Sequence, residues 1–403
     1  ERCDLVPTEI EETLVIYTPA IPKDMKELVF VFEKGYKVVK RSRALGEIAA
    51  NQECLAISGT HGKTTTSTLL AHLLTHSGEG CNAFLGGISK NYHSNLILSK
   101  KNILVAEADE FDRSFLQLFP DIAVITSTDA DHLDIYSDHE SVKGAFREFA
   151  SHVKKSLIVK KGIDIEFDTQ AKVYTYSYDT PADFYAKDIT VDECGYSHFT
   201  LCTPYGEYEN CTVGIPGWVN VENGIAAAAV ALLHGTTIDL VKKGLATFAG
   251  VERRFDIHFN TPVCSYIDDY AHHPNEISAA ISSIREIFPG KRLCGIFQPH
   301  LFTRTRDFHR EFAQSLSALD SLILLPIYPA RELPIEGVNA EMIFDLVTIR
   351  DKKIISKEEL LDFDTRTAKA LETQRPEYTV EMKIDGLSAS LEYENGAFTR
   401  GST

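Results

Sequence analysis

The stretch Cys54-Leu-Ala-Ile-Ser-Gly-Thr-His-Gly-Lys-Thr-Thr-Thr66 joins an apolar run to a glycine-containing turn, and leucines at helical spacing follow it at positions 69, 70, 73 and 74. This order predicts a strand, a loop and a helix. The first turn of such a helix presents free backbone N–H groups, to which the lysine adds an ammonium. The loop therefore predicts a phosphate-binding site made by Gly59, Thr60, His61, Gly62, Lys63, Thr64 and Thr65.

The spacing of this loop departs from the usual phosphate-loop pattern Gly-x-x-x-x-Gly-Lys. Ile57 stands five residues before Gly62, so the compact piece is Gly59-Thr-His-Gly62. A Gly-Lys-Thr string by itself also suits a purely structural turn. The strand before the loop and the leucine-striped helix after it favour nucleotide binding over that alternative.

Acidic clusters follow two other predicted strands of the same region. Glu107-Ala-Asp-Glu-Phe-Asp112 comes after the apolar run 103–106, and Asp129-Ala-Asp-His-Leu-Asp134 comes after the run 122–126. Parallel strands bring such residues to one edge of a sheet, where carboxylates and the Thr64 hydroxyl suit Mg²⁺. The alternative is a pair of solvated loops in which His132 is an ordinary polar histidine.

The order of apolar runs predicts an α/β protein with a P-loop-type central domain and a mostly parallel sheet. Its predicted elements are strands at 54–57, 103–106, 122–126 and 157–159 and a helix at 142–153. Residues 172–213 instead predict an antiparallel meander, and helices follow from near Asn220 or Asn223 and at 237–248. A smaller Rossmann-like α/β domain is then expected, with strands at 263–267, 293–297 and 322–325 and helices at 274–288 and 307–319.

Composition excludes several classes of protein. The 403 residues carry 41 basic and 58 acidic side chains, a net charge of −17 that disfavours nucleic acid as a partner. No apolar run is long enough to cross a bilayer, so no membrane insertion is expected. Eight cysteines without a Cys-x-x-Cys pair predict neither a zinc site nor a disulfide framework, and buried thiols in a reducing cytoplasm are expected.

Two further polar clusters follow predicted strands of the second half. They are Asp268-Asp-Tyr-Ala-His-His-Pro274 and Gln298-Pro-His-Leu-Phe-Thr-Arg-Thr-Arg306. Arg304 and Arg306 suit bidentate recognition of a phosphate or carboxylate, and a pair of salt-bridged loops is the alternative.

These strings together resemble the Mur ligase family of bacterial cell-wall synthesis, over about residues 14–363. The resemblance rests on the order of the motifs already quoted, together with Asn220, Asn223 and Arg253-Arg-Phe-Asp256. It implies that residues 1–52 are a remnant of an N-terminal domain that binds the UDP substrate. Residues 53–251 would be the central ATP-binding domain, and residues 252–363 a truncated C-terminal ligase domain.

The resemblance also implies roles for particular side chains. Lys63 would bind the β- and γ-phosphates of ATP, and Thr64, Glu107 and His132 would bind magnesium. Lys63, Glu107, His132 and Arg254 would form the catalytic set. Asn220, Asn223, Arg254 and Asp269 would contact the nucleotide, the last near its ribose. His272, His273, Arg304 and Arg306 would lie toward the substrates.

The reaction implied is ATP-dependent formation of an amide between L-alanine and the lactyl carboxylate of UDP-N-acetylmuramate, through an acyl phosphate, in the cytoplasm. A monomer or homodimer is expected. Three alternatives stay open: a murein-peptide recycling ligase of the same family, an ATP-binding remnant with impaired catalysis, and a fragment of a DNA ligase. The family's Gly-x-Gly-Gly-x-Gly string is absent, which leaves the affinity for the UDP substrate in question.

Residues 364–403 resemble a different family, the NAD-dependent DNA ligases, in the region of the adenylation motif. Tyr378-Thr-Val-Glu-Met-Lys-Ile-Asp-Gly-Leu387 would place Lys383 at the AMP-accepting position. Only about forty residues of that domain are present, so a surface lysine on a hairpin is the preferred interpretation, because a nucleophilic lysine needs a formed pocket.

Overall fold

The structure is a computed structural model that describes residues 3–18, 21–129, 136, 138–261, 264–330, 332–356, 358–359, 362, 390–394 and 397–402. The chain divides into two compact units, Glu1–Tyr270 with Glu286–Pro289 and Ala271–Arg285 with Gly290–Thr403. Residues 252–270 belong to the first unit, and the boundary expected at residue 252 between the central and C-terminal domains stays a prediction.

Strands of the first unit run in chain order as β1 Leu14–Tyr17, β2 Lys37–Lys40, β3 Glu53–Ser58, β4 Asn82–Ser89, β5 Ser94–Ile97, β6 Ile103–Ala108, β7 Ile122–Ile125, β8 Ser156–Lys160, β9 Lys172–Tyr176, β10 Tyr185–Val191, β11 Ser197–Thr203, β12 Gly206–Thr212, β13 Asp256–Asn260 and β14 Ser265–Asp268. Its helices are α1 Lys26–Glu33, α2 Arg41–Ala49, α3 Lys63–His76, α4 His139–Ser151, α5 Trp218–His234 and α6 Ile238–Thr247.

Among the described residues, seven strands form the central sheet in the order β5-β4-β6-β3-β7-β8-β9, and only the β4–β5 pair is antiparallel. Successive side chains of β3 point to opposite faces of the sheet and belong to two different hydrophobic cores. Leu55 and Ile57 pack with α3, α5 and α6, while Cys54 and Ala56 pack on the opposite face with α4. The sheet is therefore the middle of three layers, which is why its strands read as continuous apolar runs.

The predicted parallel central sheet is confirmed, with three differences in its elements. Strand β9 was expected in the antiparallel meander but pairs in parallel with β8. The meander itself contains β10, β11 and β12. Strands β4 and β5 were not predicted, and α5, expected to begin near Asn220 or Asn223, begins at Trp218.

The N-terminal fifty residues contain β1 and β2, which pair in parallel, together with α1 and α2. A small core of Leu28, Val31 and Tyr36 holds this region together. Among the described residues, β1 and β2 form a two-stranded sheet separate from the central one.

The second unit contains β15 Cys294–Phe297, β16 Ser321–Leu324 and β17 Lys352–Ile354, which pair in parallel. Helix α8 spans Phe302–Leu316 and α9 spans Glu341–Phe344, while α7, Pro274–Ile287, contributes most of its residues to this unit. Strands β18 Ser390–Glu394 and β19 Ala397–Ser402 form an antiparallel hairpin. Lys383 lies outside the described residues.

Two predictions for this region were wrong. The strand expected at 263–267 is β14, which pairs antiparallel with β13 instead of extending the parallel sheet. Helix α8 begins at Phe302 rather than at Asp307. Its early start has a long-range cause: the Glu332 carboxylate accepts a hydrogen bond of 3.0 Å from the Thr303 amide in the first turn.

No helix among the described residues is both long and apolar enough to span a bilayer. The expectation of buried thiols holds for Cys54, Cys81, Cys202 and Cys211. It was wrong for the three cysteines that are exposed, Cys194, Cys264 and Cys294.

Candidate active site

The phosphate loop connects β3 to α3 at the carboxyl edge of the central sheet. Helix α3 begins at Lys63, and its first internal hydrogen bond joins the Thr66 amide to the Gly62 carbonyl at 3.0 Å. The amides of Lys63, Thr64 and Thr65 precede that bond and have no intrahelical acceptor. Gly62, at φ +80°, brings no side chain to cap them. The helix start therefore suits an anion.

The loop depends on glycine at two positions. Gly59 has φ +128°, and a Cβ there would lie 2.1 Å from the Thr126 hydroxyl oxygen. A Cβ on Gly62 would lie 2.9 Å from Oδ1 of Asn223. Both positions combine a left-handed backbone with a close neighbour, so a side chain at either would distort the loop.

The end of β7 holds the loop from the other side. Ser127 Oγ lies 2.8 Å from the Thr60 hydroxyl and accepts a 2.8 Å hydrogen bond from the His61 amide. The His61 ring lies 3.1 Å from the Asp129 carboxylate. Thr126 and Ser127 were not identified from the sequence, because hydroxyl residues after a strand carry no distinctive pattern.

Lys63 lies in a strongly acidic setting. Its ammonium donates to the Gly59 carbonyl at 2.7 Å and to Oε2 of Glu110 at 2.8 Å, and Oδ1 of Asp109 lies 3.9 Å away. Burial disfavours the charge, but the carboxylates of Glu110, Asp109 and Glu107 outweigh it and raise the pKa of Lys63. Lys63 therefore stays a cation at every physiological pH.

Glu107, at the end of β6, faces the start of α3. Its Oε1 accepts a hydrogen bond from the Thr64 hydroxyl at 3.1 Å, and its Oε2 accepts one from the Gly86 amide at 2.9 Å. A Cβ on Gly86 would lie 2.4 Å from that Oε2, so only glycine leaves room for the carboxylate. Burial raises the pKa of Glu107, which means that the charged form is poorly solvated.

This donor set fits magnesium chemically. Thr64 and Glu107 supply hydroxyl and carboxylate oxygens, which Mg²⁺ prefers, and a bound cation would stabilise the poorly solvated carboxylate. Within the described ranges, no group of three or more His, Cys, Asp and Glu side chains is placed to hold a metal. His132, the third expected ligand, lies outside the described residues.

Arg254, 190 residues after Thr64 in the sequence, also lies at the start of α3. Its Nη2 lies 3.5 Å from the Thr64 hydroxyl, and its guanidinium lies 4.5 Å from the centre of the Tyr270 ring. The neighbours Arg253 and Phe255 both have left-handed backbones, at φ +62° and +49°. Such conformations are unfavourable for these residues and persist where the surroundings impose them.

The carboxylate of Asp269 accepts a 2.7 Å hydrogen bond from the Phe255 amide, next to Arg254. The contact with ribose implied by the family resemblance stays a prediction.

Both predicted asparagines lie in the first turns of α5 and are buried. The Asn220 side chain donates to the Pro216 carbonyl at 2.7 Å, one turn back along the chain. Asn223 accepts a 3.2 Å hydrogen bond from the Thr66 hydroxyl of α3 and thus lies beside the phosphate loop.

The four residues expected near the substrates lie in the second unit, and they differ in their burial and in their hydrogen-bond partners. The amides of His272 and His273 donate to the Glu276 carboxylate at 2.9 and 3.2 Å. Arg304 is buried, with Nη1 3.3 Å from Nδ1 of His300. Arg306 is half exposed and forms two hydrogen bonds with its neighbour Asp307, at 2.7 and 3.0 Å.

The structure adds residues that sequence analysis did not single out. Glu110 and Gly86 contact Lys63 and Glu107, and Tyr270 supports Arg254. A signal existed for Glu110 and Tyr270, which stand inside the quoted motifs. Gly86 belongs to a strand that the sequence did not predict.

A parallel α/β sheet with a loop of free backbone amides after one strand, and a carboxylate and an arginine facing that loop, is the arrangement found in enzymes of the P-loop class. A model of the Mur ligase middle domain matches residues 57–231. A model of the Mur ligase glutamate ligase domain matches residues 253–380, which extends past the limit of 363 expected from the sequence.

Comparison with known proteins shows which enzymes of this class the chain is similar to. A UDP-N-acetylmuramate–L-alanine ligase from Parabacteroides distasonis is 52% identical over 357 residues, which cover 87% of this chain and 77% of that protein. The crystal structure of a UDP-N-acetylmuramate-alanine ligase from Thermotoga maritima matches with a TM-score of 0.73 at 25% identity, covering 89% of this chain and 81% of that one.

A murein peptide ligase from Psychrobacter arcticus shares the fold, with a TM-score of 0.61 at 19% identity, covering 87% of this chain and 79% of that one. The chain belongs to the Mur ligase family, and this family implies the use of ATP.

Proposed function

We propose that this protein is an ATP-dependent ligase that joins L-alanine to the lactyl carboxylate of UDP-N-acetylmuramate, a reaction of peptidoglycan precursor synthesis. The observation that carries the proposal is the convergence of Lys63, Thr64, Glu107 and Arg254 at the start of α3. The choice of substrates is supported by the 52% identity to a ligase of that name.

The proposed reaction has two steps. An oxygen of the lactyl carboxylate attacks the γ-phosphorus of ATP, and ADP leaves. The amine of L-alanine then attacks the acyl carbon, a proton is lost from nitrogen, and inorganic phosphate leaves with the C–O bonding pair. Each step needs two reactants held in line and the phosphoryl charge neutralised, so positioning and electrostatics supply most of the catalysis.

The residues at the start of α3 suit the first step. Lys63 brings a permanent positive charge, and the free amides of the first turn of α3 add oriented donors. Arg254 brings a second cation 3.5 Å from the Thr64 hydroxyl. Magnesium, when bound by Thr64 and Glu107, would neutralise phosphate charge. Roles for His132, Asp269 and the second-unit residues His272, His273, Arg304 and Arg306 stay predictions.

A coupled assay of ADP release tests the proposal. The expected result is release that requires both L-alanine and UDP-N-acetylmuramate. Release with UDP-N-acetylmuramate and a murein tripeptide, but not with L-alanine, would identify the recycling ligase instead. Transfer of AMP from NAD⁺ to the protein would favour the DNA ligase alternative, and ATP binding without turnover would favour an impaired remnant. A cytoplasmic location and a monomeric or homodimeric state stay predictions.

A further inference from the structure

Lys63 has an anionic partner within the protein itself. The Glu110 carboxylate lies 2.8 Å from the Lys63 ammonium, and the side chain of Glu110 is only 1% exposed. A buried pair at this distance is a strong local interaction, because water neither screens nor replaces it. Any phosphate oxygen that reaches Lys63 has to compete with this carboxylate.

The position of Glu110 is fixed by the protein around it. The backbone carbonyl of Glu110 accepts a 2.7 Å hydrogen bond from the buried Tyr136 hydroxyl. Lys63 is held at its other side by the Gly59 carbonyl, at 2.7 Å. The ammonium is therefore held beside the loop by two acceptors that belong to the protein itself.

Several carboxylates act on the Lys63 ammonium. Those of Glu110, Asp109 and Glu107 all favour its charged form. A triphosphate adds further negative charge, so its binding depends on what happens to the anion nearest Lys63. That anion is Glu110 rather than Asp109, whose carboxylate is 3.9 Å away and 41% exposed.

We propose that Glu110 is a positioning residue that holds the Lys63 ammonium as an internal counter-anion, and that a bound triphosphate replaces this ion pair with one of its own. This inference rests on the proposed function, because it takes residues 59–65 to be the phosphate site. It accounts for the charge of a buried lysine, because the carboxylate supplies the opposite charge. It also gives Glu110 a role different from that of Glu107, whose carboxylate faces Thr64.

Binding of inorganic triphosphate and of ATP to Glu110→Gln, both in EDTA, tests the proposal by calorimetry. Glutamine keeps the shape but removes the competing charge, so we expect Kd for both ligands to fall at least about tenfold. Asp112→Asn is the matched control: it removes the same charge two residues further along the chain, from a carboxylate that pairs with Lys40 at 2.9 Å. We expect it to change Kd by less than about threefold, because an exposed charge is screened.

Thermal unfolding supplies a second readout. In Glu110→Gln the buried Lys63 loses its counter-ion, so Tm without ligand should fall, and saturating triphosphate should restore more stability than it adds to the native protein. If Glu110 were only a packing residue, the substitution would lower Tm and weaken binding together. That combination would overturn the proposal.

Glu110→Asp keeps the charge but shortens the side chain by one carbon, which keeps the test valid if the glutamine variant does not fold. We expect a several-fold lower Kd for triphosphate, because the ion pair is lengthened while the charge stays. Unchanged Kd values in both Glu110 variants would refute the role of Glu110 alone. Failure of the native protein to bind ATP, or binding that survives Lys63→Met, would instead refute the proposed function.

Discussion

Gly86→Ala should reduce ligase activity about a hundredfold while leaving the protein folded. Gly86 lies in β4 and donates its amide to Oε2 of Glu107 at 2.9 Å. An added Cβ would lie 2.4 Å from Oε2, 2.6 Å from Oε1 and 2.8 Å from Cδ of that side chain. An ordinary contact is about 3.5 Å, so the carboxylate has to withdraw by about 1 Å.

Displacements of about 1 Å in a site of this kind cost about a hundredfold in rate, which corresponds to about 2.7 kcal/mol of barrier. The assay is ADP release with both substrates at saturation, measured over a range of magnesium concentrations. We expect a lower kcat and a higher half-saturating concentration of magnesium, because Glu107 is moved away from Thr64. Stability should fall by only about 1 kcal/mol, the typical net value of one hydrogen bond.

Gly144→Ala is the matched control. Gly144 lies within α4, and a Cβ built there meets no atom within 4 Å. Alanine should stabilise that helix by about 0.5–1 kcal/mol and leave turnover unchanged. A Gly86→Ala variant whose kcat and magnesium dependence stay within twofold of the native values would refute this prediction, since the carboxylate would then have kept its position despite the methyl group.

Three further outcomes are expected. Lys63→Ala should abolish ADP release and lower stability by about 3–5 kcal/mol, because Glu110 becomes a buried charge without its partner; undiminished turnover would remove the phosphate loop from the mechanism. Arg254→Lys should lower kcat at least about tenfold, because an ammonium cannot stack on Tyr270 as the planar guanidinium does, and a native kcat would contradict this. Burial lowers the pKa of His72 to about 4, below its unfolded value, so its contribution to stability is present at neutral pH and is lost as pH falls. Urea unfolding should show that the native protein loses about 2 kcal/mol more between pH 7 and pH 5 than His72→Gln does, and equal losses would refute the assignment.

Much of the central sheet follows from sequence patterns. The strands β3, β6, β7 and β8 were predicted because strands buried on both faces are continuous runs of apolar residues. The loop before α3 was predicted because its glycines, Lys63 and Thr64 stand together in the chain. These features depend on residues close in sequence, and a local pattern therefore contains the information.

Other elements were missed because their partners are distant. The first turn of α8 is capped by Glu332, 29 residues further on, so no local signal marks Phe302 as its start. Strand β9 was assigned to a meander by its turn-rich surroundings, but its pairing with β8 decides its direction. Strand β14 looked like the first strand of a parallel sheet until β13 supplied an antiparallel neighbour.

The candidate site also combines features that depend on local sequence with features that depend on residues distant in sequence. The sequence by itself predicted the phosphate loop and the acidic cluster after β6, because each is a short string whose residue types carry its chemistry, whereas Arg254 was expected only from the family resemblance. Only the tertiary structure decided that Glu110 pairs with Lys63, that Gly86 makes room for Glu107, and that Arg254 comes within 3.5 Å of a hydroxyl 190 residues earlier in the chain. Distances between side chains from separate elements depend on how the sheet and helices pack, and no local pattern records that packing.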